Sequence, residues 1–323
     1  MNLGRERYAS KYFAIQHFYT ERHWSVNWMC RQLGVTRAAY YKWLARDIPE
    51  AEKENEIIAQ LIQEYDDRFN HILGYRRMTD WINRLNGKNY SRNRIHRIMK
   101  KLNIHSVIRR KKKKYVNSTP EVTAENTLRR DFNAERPNQK WVTDVTEFKW
   151  YEGLVVHKLY LSAILDLYDR SVVSYVVSTR NDNKLVFDTF EQAVLANPDA
   201  HPLFHSDRGF QYTGKTFQFK LSQQAMEQSM SRVGHCIDNC PTEGFWGILK
   251  TEMYYLTKFS NEAELRAAIE HYIHFYNYER FQERFNTRTP MEVRTAALAS
   301  DSPDQFPIAE NKKIQQYKAK FVA

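Results

Sequence analysis

The chain has 323 residues, 42% of them hydrophobic, which is enough for two or three folded domains, and it lacks the run of roughly 18 apolar residues that a membrane span needs. Three cysteines argue against a disulfide framework, and the charged residues at the start argue against a secretory signal, so we expect a cytoplasmic protein with no membrane partner. The net charge of +11 indicates a polyanionic partner.

The basic charge is concentrated in the front of the chain. Residues 1–118 hold 25 Lys and Arg against 11 Asp and Glu, whereas residues 119–323 hold 24 against 27. Residues 81–118 contain 13 basic residues and no acidic one. A solubilising surface or tail would normally mix both signs, so we predict that this region binds nucleic acid. The predicted contacts include the basic run of Arg109, Arg110, Lys111 and Lys112.

The first predicted module, residues 1–50, has the pattern of a helix-turn-helix. Ser25 caps a helix with apolar residues at positions i, i+3, i+4 and i+7, Gly34 ends it, and Thr36 caps a second helix. The second helix is predicted to bury Ala39, Tyr40, Trp43 and Leu44. Its outward residues Arg37 and Lys42 are predicted to contact DNA, since the second helix of this motif enters the major groove. A helical hairpin without a ligand is the alternative.

The second predicted module, residues 51–115, is also helical. Helices are predicted over 55–69, over 75–85 and from Ser91 onward. The third helix aligns Arg94, Arg97 and Lys101 on one side, which indicates contact with phosphates. Whether any of them reads a base is left open, because arginines that contact phosphates and arginines that contact bases look alike in sequence. Residues 116–135 are predicted to be a linker.

Residues 136–299 change to strand and helix patterns. The predicted order is strands 140–150, 154–166 and 171–178, helix 182–197, strand 202–207, helix 216–224, strand 226–231, and helices 241–255 and 261–278. This is the order of an α/β, ribonuclease-H-like fold: a mixed five-stranded sheet with flanking helices, here preceded by two all-helical helix-turn-helix modules. Residues 300–323 are predicted to be a C-terminal tail.

Three acidic residues lie at positions suited to metal-dependent chemistry on phosphodiesters. Asp144 is central in a predicted strand, Asp207 ends another, and Glu243 lies in the first turn of a helix. An in-line displacement at phosphorus is served by two metal ions roughly 3.5–4 Å apart, and Mg²⁺ prefers carboxylate oxygens on rigid elements. The rival carboxylates are Glu147, Asp166, Asp169 and Glu252, of which Asp166 and Asp169 fit a turn.

The stretches WVTDVTEF, FHSDRGFQYT and SMSRVGHCIDNCPTEGFWGILKTEMYY carry a resemblance to a known family. They resemble the DDE transposases of bacterial insertion sequences, in particular the OrfB-type products of the IS3 group, which share their catalytic core with retroviral integrases. Thirty-five residues separate Asp207 from Glu243, as is typical of that group. The helical front and the stretch FYNYERFQERFNTRTPMEV extend the resemblance over nearly the whole chain.

The resemblance implies a role for each matching position. Asp144, Asp207 and Glu243 would be the catalytic metal ligands, and Lys250 would touch DNA near the scissile phosphate. The residues implied to support the site are His205, Ser206, Gly209, Gln211, Tyr212, Asp238 and Asn239. Gly244 and Gly247 depart from the family, which more often has larger residues there, so they either loosen the helix start or let DNA approach closely.

The implied function is DNA strand cleavage and strand transfer, in which a DNA 3′ hydroxyl attacks a phosphodiester. The implied cofactors are two Mg²⁺ ions, for which Mn²⁺ substitutes, and the implied DNA intermediate is circular. The partners would be double-stranded DNA at element ends and target, further copies of the chain, and a DNA-binding protein from an upstream frame. The protein would then lie at the bacterial nucleoid.

Three alternatives remain open on the sequence. One is a catalytically inactive DNA-binding regulator, and another is a ribonuclease or repair nuclease on the same core. The third is a zinc site at His235, Cys236 and Cys240, which lacks a fourth ligand and the usual two-residue cysteine spacing.

Overall fold

The structure is a computed structural model that describes residues 8–47, 49–108, 127–128, 131–231 and 239–307. The chain divides into two compact units, Met1–Val107 and Ile108–Ala323, which are described one at a time. Several predicted residues lie outside the described ranges, namely Arg109, Arg110, Lys111, Lys112, His235, Cys236 and Asp238. So does most of the predicted linker. Among the described helices, none has the length and apolar character needed to cross a membrane.

The first unit begins with three short helices, α1 (Ala9–Arg22), α2 (Val26–Leu33) and α3 (Arg37–Leu44). The predicted caps are confirmed: Ser25 Oγ accepts from the Trp28 amide at 3.5 Å, and Thr36 Oγ1 accepts from the Ala39 amide at 3.2 Å. The buried residues that hold the three helices together are Tyr12, Ile15, Met29, Cys30 and Tyr40.

One burial prediction in this region is wrong. Leu44, predicted to face inward, is 45% exposed, because α3 ends at this residue and the buried contacts of its face are made by Tyr40. Helix α1 was not predicted. It supplies Tyr12 and Ile15 to the core that α2 and α3 alone would leave open to solvent.

Three longer helices complete the first unit: α4 (Glu50–Arg68), α5 (Tyr75–Asn86) and α6 (Arg92–Lys101). Gly87 ends α5 with a positive φ of 59°, a conformation that glycine adopts without strain. Ser91 caps α6 through the Arg94 amide at 3.3 Å. The three predicted helices are thus confirmed, with the apolar sides of α4, α5 and α6 buried against one another.

The strands of the second unit form one sheet in the described part of the chain. They are β1 (Lys140–Glu152), β2 (Val155–Asp166), β3 (Val172–Ser178), β4 (Leu203–Ser206) and β5 (Gln228–Met230). The strand order is β3-β2-β1-β4-β5. Strands β1, β2 and β3 are antiparallel, whereas β4 is parallel to β1 and β5 is parallel to β4. The predicted mixed five-stranded, ribonuclease-H-like sheet is confirmed.

Helices flank this sheet. They are α7 (Asn183–Ala196), α8 (Phe210–Thr213), α9 (Lys215–Gln223), α10 (Cys240–Glu252), α11 (Glu262–His274) and α12 (Pro290–Leu298). Trp141 and Phe204 from the sheet pack with Phe190 of α7 and Phe217 of α9 in one buried cluster. Helix α11 continues into a π-helical turn, Phe275–Glu279. Helix α10 lies against β1, the strand that carries Asp144.

Helix α12 was missed, although its start carries a readable signal. Thr289 caps the helix, Glu292 completes a capping box with it, and Pro290 occupies the first turn. Part of the predicted tail packs on the unit as well, since the Phe306 ring lies 5.0 Å from that of Phe285.

Candidate active site

Asp144 and Asp207 extend from neighbouring parallel strands. The register pairs Lys140 with Leu203 and Val142 with His205, and Asp207 directly follows the last residue of β4. Continued by two residues, the same register sets the backbone of Asp144 beside that of Asp207. The two acids predicted from distant parts of the sequence therefore start from adjacent positions.

Glu243 is brought to β1 by two hydrogen bonds of helix α10. The Asn239 side-chain amide, just before the helix, donates to the Thr143 carbonyl at 3.1 Å. One turn after Glu243, the indole N–H of Trp246 donates to Asp144 Oδ2 at 3.0 Å. The first turns of α10 are thus fastened to β1 at the position of Asp144.

The three acids influence one another electrostatically. Burial raises the pKa of Asp144 to about 7, with further upward contributions from the negative charges of Asp207 and Glu243, against the hydrogen bonds that Asp144 accepts. Burial also raises the pKa of Asp207. Carboxylates that oppose one another's ionisation are relieved by a bound cation, and their hard oxygen donors suit a divalent metal ion. The donor set therefore fits the metal that the fold implies.

The oxygens of this trio are not gathered around a single point. Within the described residues, a set of three possible ligand atoms all within 4.8 Å of one another occurs only at Asp66, Asp67 and His71, in the first unit. There the His71 ring lies 2.6 Å from Asp66, as in an ordinary ion pair. Asp144, Asp207 and Glu243 do not form such a set.

Asp207 is held in place by its own loop. The Gly209 amide donates to Asp207 Oδ1 at 2.9 Å, and Ser206 Oγ donates to the Asp207 carbonyl at 2.9 Å. A Cβ atom at Gly209 would lie 3.1 Å from Asp207 Oδ1 and 3.0 Å from Gln211 Oε1. A larger residue at this position would therefore crowd both side chains. Gln211 in turn donates to Asn181 Oδ1 at 2.6 Å.

His205 and Tyr212 support the same strands from inside the fold. His205 is fully buried, with its two ring nitrogens 2.9 Å from Ser229 Oγ and 3.2 Å from Ser231 Oγ, which ties β4 to β5. The buried Tyr212 hydroxyl lies 3.2 Å from Thr143 Oγ1, next to Asp144. Both side chains therefore connect elements of the sheet region that carries Asp144 and Asp207.

Lys250 lies on α10 two turns beyond Glu243. Its ammonium is 5.1 Å from the centre of the Phe148 ring on β1. Partial burial lowers the pKa of Lys250, while the negative charges of Glu147 and Asp144 act in the opposite direction. Lys250 is therefore a cation close to the acidic site.

The helix face between Glu243 and Lys250 is open. Gly244 and Gly247 are exposed on it, and a Cβ atom at either position would meet nothing within 4 Å. The sequence left two interpretations of these glycines: a loosened helix start or a close approach of DNA. The open space beside both glycines is compatible with a close approach.

The rival carboxylates are already paired with cations. Glu252 accepts three hydrogen bonds, two from Arg280 and one from the Tyr272 hydroxyl. Glu147 pairs with Lys158 at 2.9 Å. These contacts explain both acids without a metal ion.

Asp166 and Asp169 share one buried arginine. Arg294 Nη1 lies 3.0 Å from a carboxylate oxygen of each. Its other nitrogen, Nη2, donates to Asn138 and Asn197. The interpretation of the two acids as turn residues is confirmed, since they also accept from the amides of the turn that follows β2.

The predicted DNA contacts of the first unit divide into two kinds. Arg37 and Lys42 on α3, and Arg97 and Lys101 on α6, have exposed side chains. Arg94 instead turns inward, where it donates to Glu54 at 2.7 Å and to Asn55 at 2.9 Å. The phosphate contact of Arg94 remains a prediction. The internal contacts with Glu54 and Asn55 argue against it.

Two residues with long-range contacts to acids, Trp246 and Arg294, were missed in the sequence. Trp246 is visible three positions after Glu243, yet nothing local indicates that its N–H meets Asp144. Arg294 follows the signal for α12, but its two acidic partners are more than 120 positions away.

Comparisons with known proteins identify the family of the chain. Residues 134–236 and 243–298 match models described as the integrase core domain, and residues 52–112 match an HTH-like domain. InsK of insertion sequence element IS150 from Escherichia coli (strain K12) is 37% identical over 267 residues, which cover 82% of this chain and 92% of InsK. The transposase InsF of insertion sequence IS3A from the same organism is 28% identical over 309 residues, which cover 93% of this chain and all of InsF.

A solved structure is also similar. The HTLV-2 integrase catalytic core domain in complex with magnesium covers 49% of this chain and 97% of that one, at 21% identity and a TM-score of 0.39. The matching integrase core models and the transposase relatives define a polynucleotidyl transferase with an integrase-type core, a class that depends on divalent metal ions. Within that class, the chain belongs to the IS3 family of insertion-sequence transposases.

Proposed function

We propose that Asp144, Asp207 and Glu243 bind two Mg²⁺ ions, for which Mn²⁺ substitutes, and that this site cuts DNA at element ends and joins the ends to new DNA. The observation that supports the proposal is that three elements of the core each bring an acid towards Asp144. Strand β1, the end of β4 and the first turn of α10 each bring one acid, and the charges of Asp207 and Glu243 both act on Asp144.

The individual residues suit different parts of this task. Asp144 is affected by the negative charges of both Asp207 and Glu243, so the three carboxylates together would hold the ions. When bound, such ions activate the attacking 3′ hydroxyl and stabilise the leaving oxygen. Lys250 is placed to hold a DNA phosphate beside the acids.

The first unit would hold the DNA in place. Arg37, Lys42, Arg97 and Lys101 are exposed cations on short helices of the type that contact phosphates or enter a groove. The basic run after residue 108 would add further phosphate contacts. We infer domain boundaries at 1–50, 51–115 and 136–299, which the family matches at 52–112, 134–236 and 243–298 support.

The assembled enzyme would be an oligomer on paired DNA ends, at the nucleoid. An upstream-frame protein would supply additional DNA binding. Analytical ultracentrifugation of the protein with and without element-end DNA checks the first point, since a single species of monomer mass in both samples contradicts it.

Element-end DNA with Mg²⁺ or Mn²⁺ tests the site directly. Asp144→Asn, Asp207→Asn and Glu243→Gln each keep the side-chain shape but lose the charge, so cleavage and joining should fall by about 1000-fold or more. DNA binding in a gel-shift assay should persist in all three. Glu147→Gln, on the same strand but paired with Lys158, serves as the control and should stay within about threefold of wild type.

The outcomes separate the competing functions. Joined product from Asp144→Asn at the wild-type rate contradicts the assignment of the site. Wild-type protein that binds duplex DNA but neither nicks nor joins it with either ion would mark an inactive regulator. Preferred cleavage of an RNA–DNA hybrid would mark a ribonuclease. The three acids favour an enzyme over an inactive regulator, and the HTH-like domain at residues 52–112 and the transposase relatives favour the transposase reaction over a ribonuclease.

A further inference from the structure

We infer that Trp246 is a positioning residue for metal binding, which sets the distance between Asp144 and Glu243 through its indole hydrogen bond. The inference rests on the proposed function of the acidic site. It concerns the N–H group of one buried aromatic residue that touches neither substrate nor metal in this role.

The first observation is the hydrogen bond itself. Trp246 Nε1 lies 3.0 Å from Asp144 Oδ2, a normal length for a bond to a carboxylate. The other oxygen, Asp144 Oδ1, accepts from the Val145 amide at 2.8 Å. Each carboxylate oxygen thus has one donor, which fixes the rotation of the group and leaves each oxygen with a further lone pair for a ligand.

The second observation is the place of Trp246 on its helix. Residues three apart on an α-helix are neighbours on its surface, so Trp246 stands beside Glu243 on α10. Its ring is 6% exposed and lies 5.0 Å from that of Phe245. A buried side chain that is hydrogen-bonded to Asp144 couples the position of this carboxylate to the helix turn that carries Glu243.

The third observation is that the same helix is tied to β1 a second time. Asn239 donates to the Thr143 carbonyl at 3.1 Å, one residue before Asp144. Two ties, separated by two helical turns, fix both the position and the rotation of α10 against the strand. Of the two, only the tie from Trp246 ends on a predicted metal ligand.

Hydrogen bonds that orient a metal ligand from a residue not bound to the metal commonly change metal affinity by a factor of about 10 to 100. Loss of the indole donor should therefore weaken metal binding about tenfold without removing any ligand. A residue that only fills space would change stability instead.

Two substitutions separate the hydrogen bond from the packing. Trp246→Phe keeps an aromatic ring and loses the donor. Trp246→Gln loses the ring but carries an NH₂ group three bonds from Cβ, as the indole carries its N–H. We expect Trp246→Phe to bind Mn²⁺ about tenfold more weakly than wild type and Trp246→Gln within about threefold of it. Trp246→Gln, which loses the buried ring, should be less thermally stable than Trp246→Phe.

Trp141→Phe is the matched control. Trp141 Nε1 also donates to a buried carboxylate, Asp166 Oδ2, at 3.3 Å on the same strand but away from the acids. Mn²⁺ affinity of this variant should equal that of the wild type. All affinities are measured by isothermal titration calorimetry of the full chain with MnCl₂, after circular dichroism has verified folding.

The results distinguish the inference from the function on which it rests. If Trp246→Phe binds Mn²⁺ as wild type does while Asp144→Asn does not bind it, the inference is overturned and the metal site stands. If Trp246→Gln binds more weakly than Trp246→Phe, packing is the cause and the inference is again overturned. If Asp144→Asn binds Mn²⁺ as wild type does, the proposed metal site itself fails. Should Trp246→Phe not fold, the Gln variant decides alone, because a tenfold loss there contradicts the inference and wild-type affinity supports it.

Discussion

Arg294 is the cation that allows Asp166 and Asp169 to be buried together. Burial and the charge of Asp166 raise the pKa of Asp169 to about 7, and Arg294 acts against this rise. Removal of one partner from a buried ion pair typically costs about 3–5 kcal/mol, because the remaining charges are left uncompensated. We therefore expect Arg294→Met to lower the free energy of unfolding by that amount, measured by urea denaturation.

An exposed ion pair provides the comparison for this prediction. Lys184 pairs with Asp188 one helical turn away, and the Lys184 side chain is 77% exposed. Lys184→Met should change the free energy of unfolding by less than about 0.5 kcal/mol. Equal effects of the two substitutions would show that the Arg294 cluster is not a buried network.

His71 gives the first unit a pH-dependent contact. The hydrogen bond to Asp66 and the charge of Asp66 raise the pKa of His71 above its ordinary value of 6.5. The folded state then holds the His71 proton more tightly than the unfolded chain. The contribution to stability is thus fully present below about pH 6.5 and is lost as the pH rises through the folded-state pKa.

The melting temperature at about pH 6 and about pH 8 checks this prediction. Because the His71 side chain is 53% exposed, the effect should stay below about 1 kcal/mol. His71→Gln should reduce the difference in melting temperature between the two conditions. An unchanged difference in the variant would assign the pH dependence to other groups.

At the level of elements, helix α10 contains two glycines that weaken it. Gly247 lies in the helix interior, exposed, with space for a Cβ atom. Gly247→Ala should therefore stabilise the protein by about 0.5–1 kcal/mol, since alanine loses less backbone entropy in a helix. If DNA passes close to this face, the same substitution lowers strand transfer while thermal stability increases.

Gly34 is the matched control for the change in stability. A Cβ atom there would also meet nothing within 4 Å, but Gly34 has a φ of +64° at the end of α2. Gly34→Ala should therefore destabilise the protein by about 1 kcal/mol, the cost of a left-handed conformation for alanine. Differential scanning calorimetry on both variants measures the opposite signs. A loss of stability in both would mean that α10 does not tolerate a side chain at Gly247.

At the scale of the whole molecule, the segregation of charge predicts how DNA binding depends on salt. Each lysine or arginine that neutralises a phosphate contributes about 0.9 to the slope of log K against log salt concentration. Arg97 is exposed on α6, whereas Arg94 on the same helix is bound to Glu54. Arg97→Ala should lower the salt slope by about 1 and leave the melting temperature unchanged.

Arg94→Ala should behave in the opposite way. It removes hydrogen bonds to Glu54 and Asn55, so the melting temperature should fall while the salt slope changes little. Fluorescence anisotropy with a labelled element-end duplex at several salt concentrations measures the slopes. If Arg94→Ala reduced the magnitude of the salt slope more than Arg97→Ala did, Arg94 would be the phosphate contact and Arg97 would not.

Local order was readable from the sequence wherever it depends on neighbours in the chain. The caps Ser25, Thr36 and Ser91 and the helices after them follow from short-range hydrogen bonds and apolar spacing. The strand candidates and the positions of Asp144 and Asp207 on them follow from β-rich runs bounded by turns. These features depend on interactions between residues close together in the chain, so they can be predicted from a single sequence.

The tertiary structure alone decided which side chains meet. Trp246 reaches Asp144 across 102 positions, and Arg294 reaches Asp166 across 128. Arg94 was predicted to face DNA because its spacing matches that of Arg97, yet Glu54, 40 positions earlier, turns it inward. The periodicity of a sequence predicts the side of a helix on which a residue lies. The residues that it contacts on that side depend on how the helices pack. The sequence therefore determined most of the elements, though not α1 or α12, and marked the candidate acids, whereas the fold determined the contacts of Asp144 and Asp166.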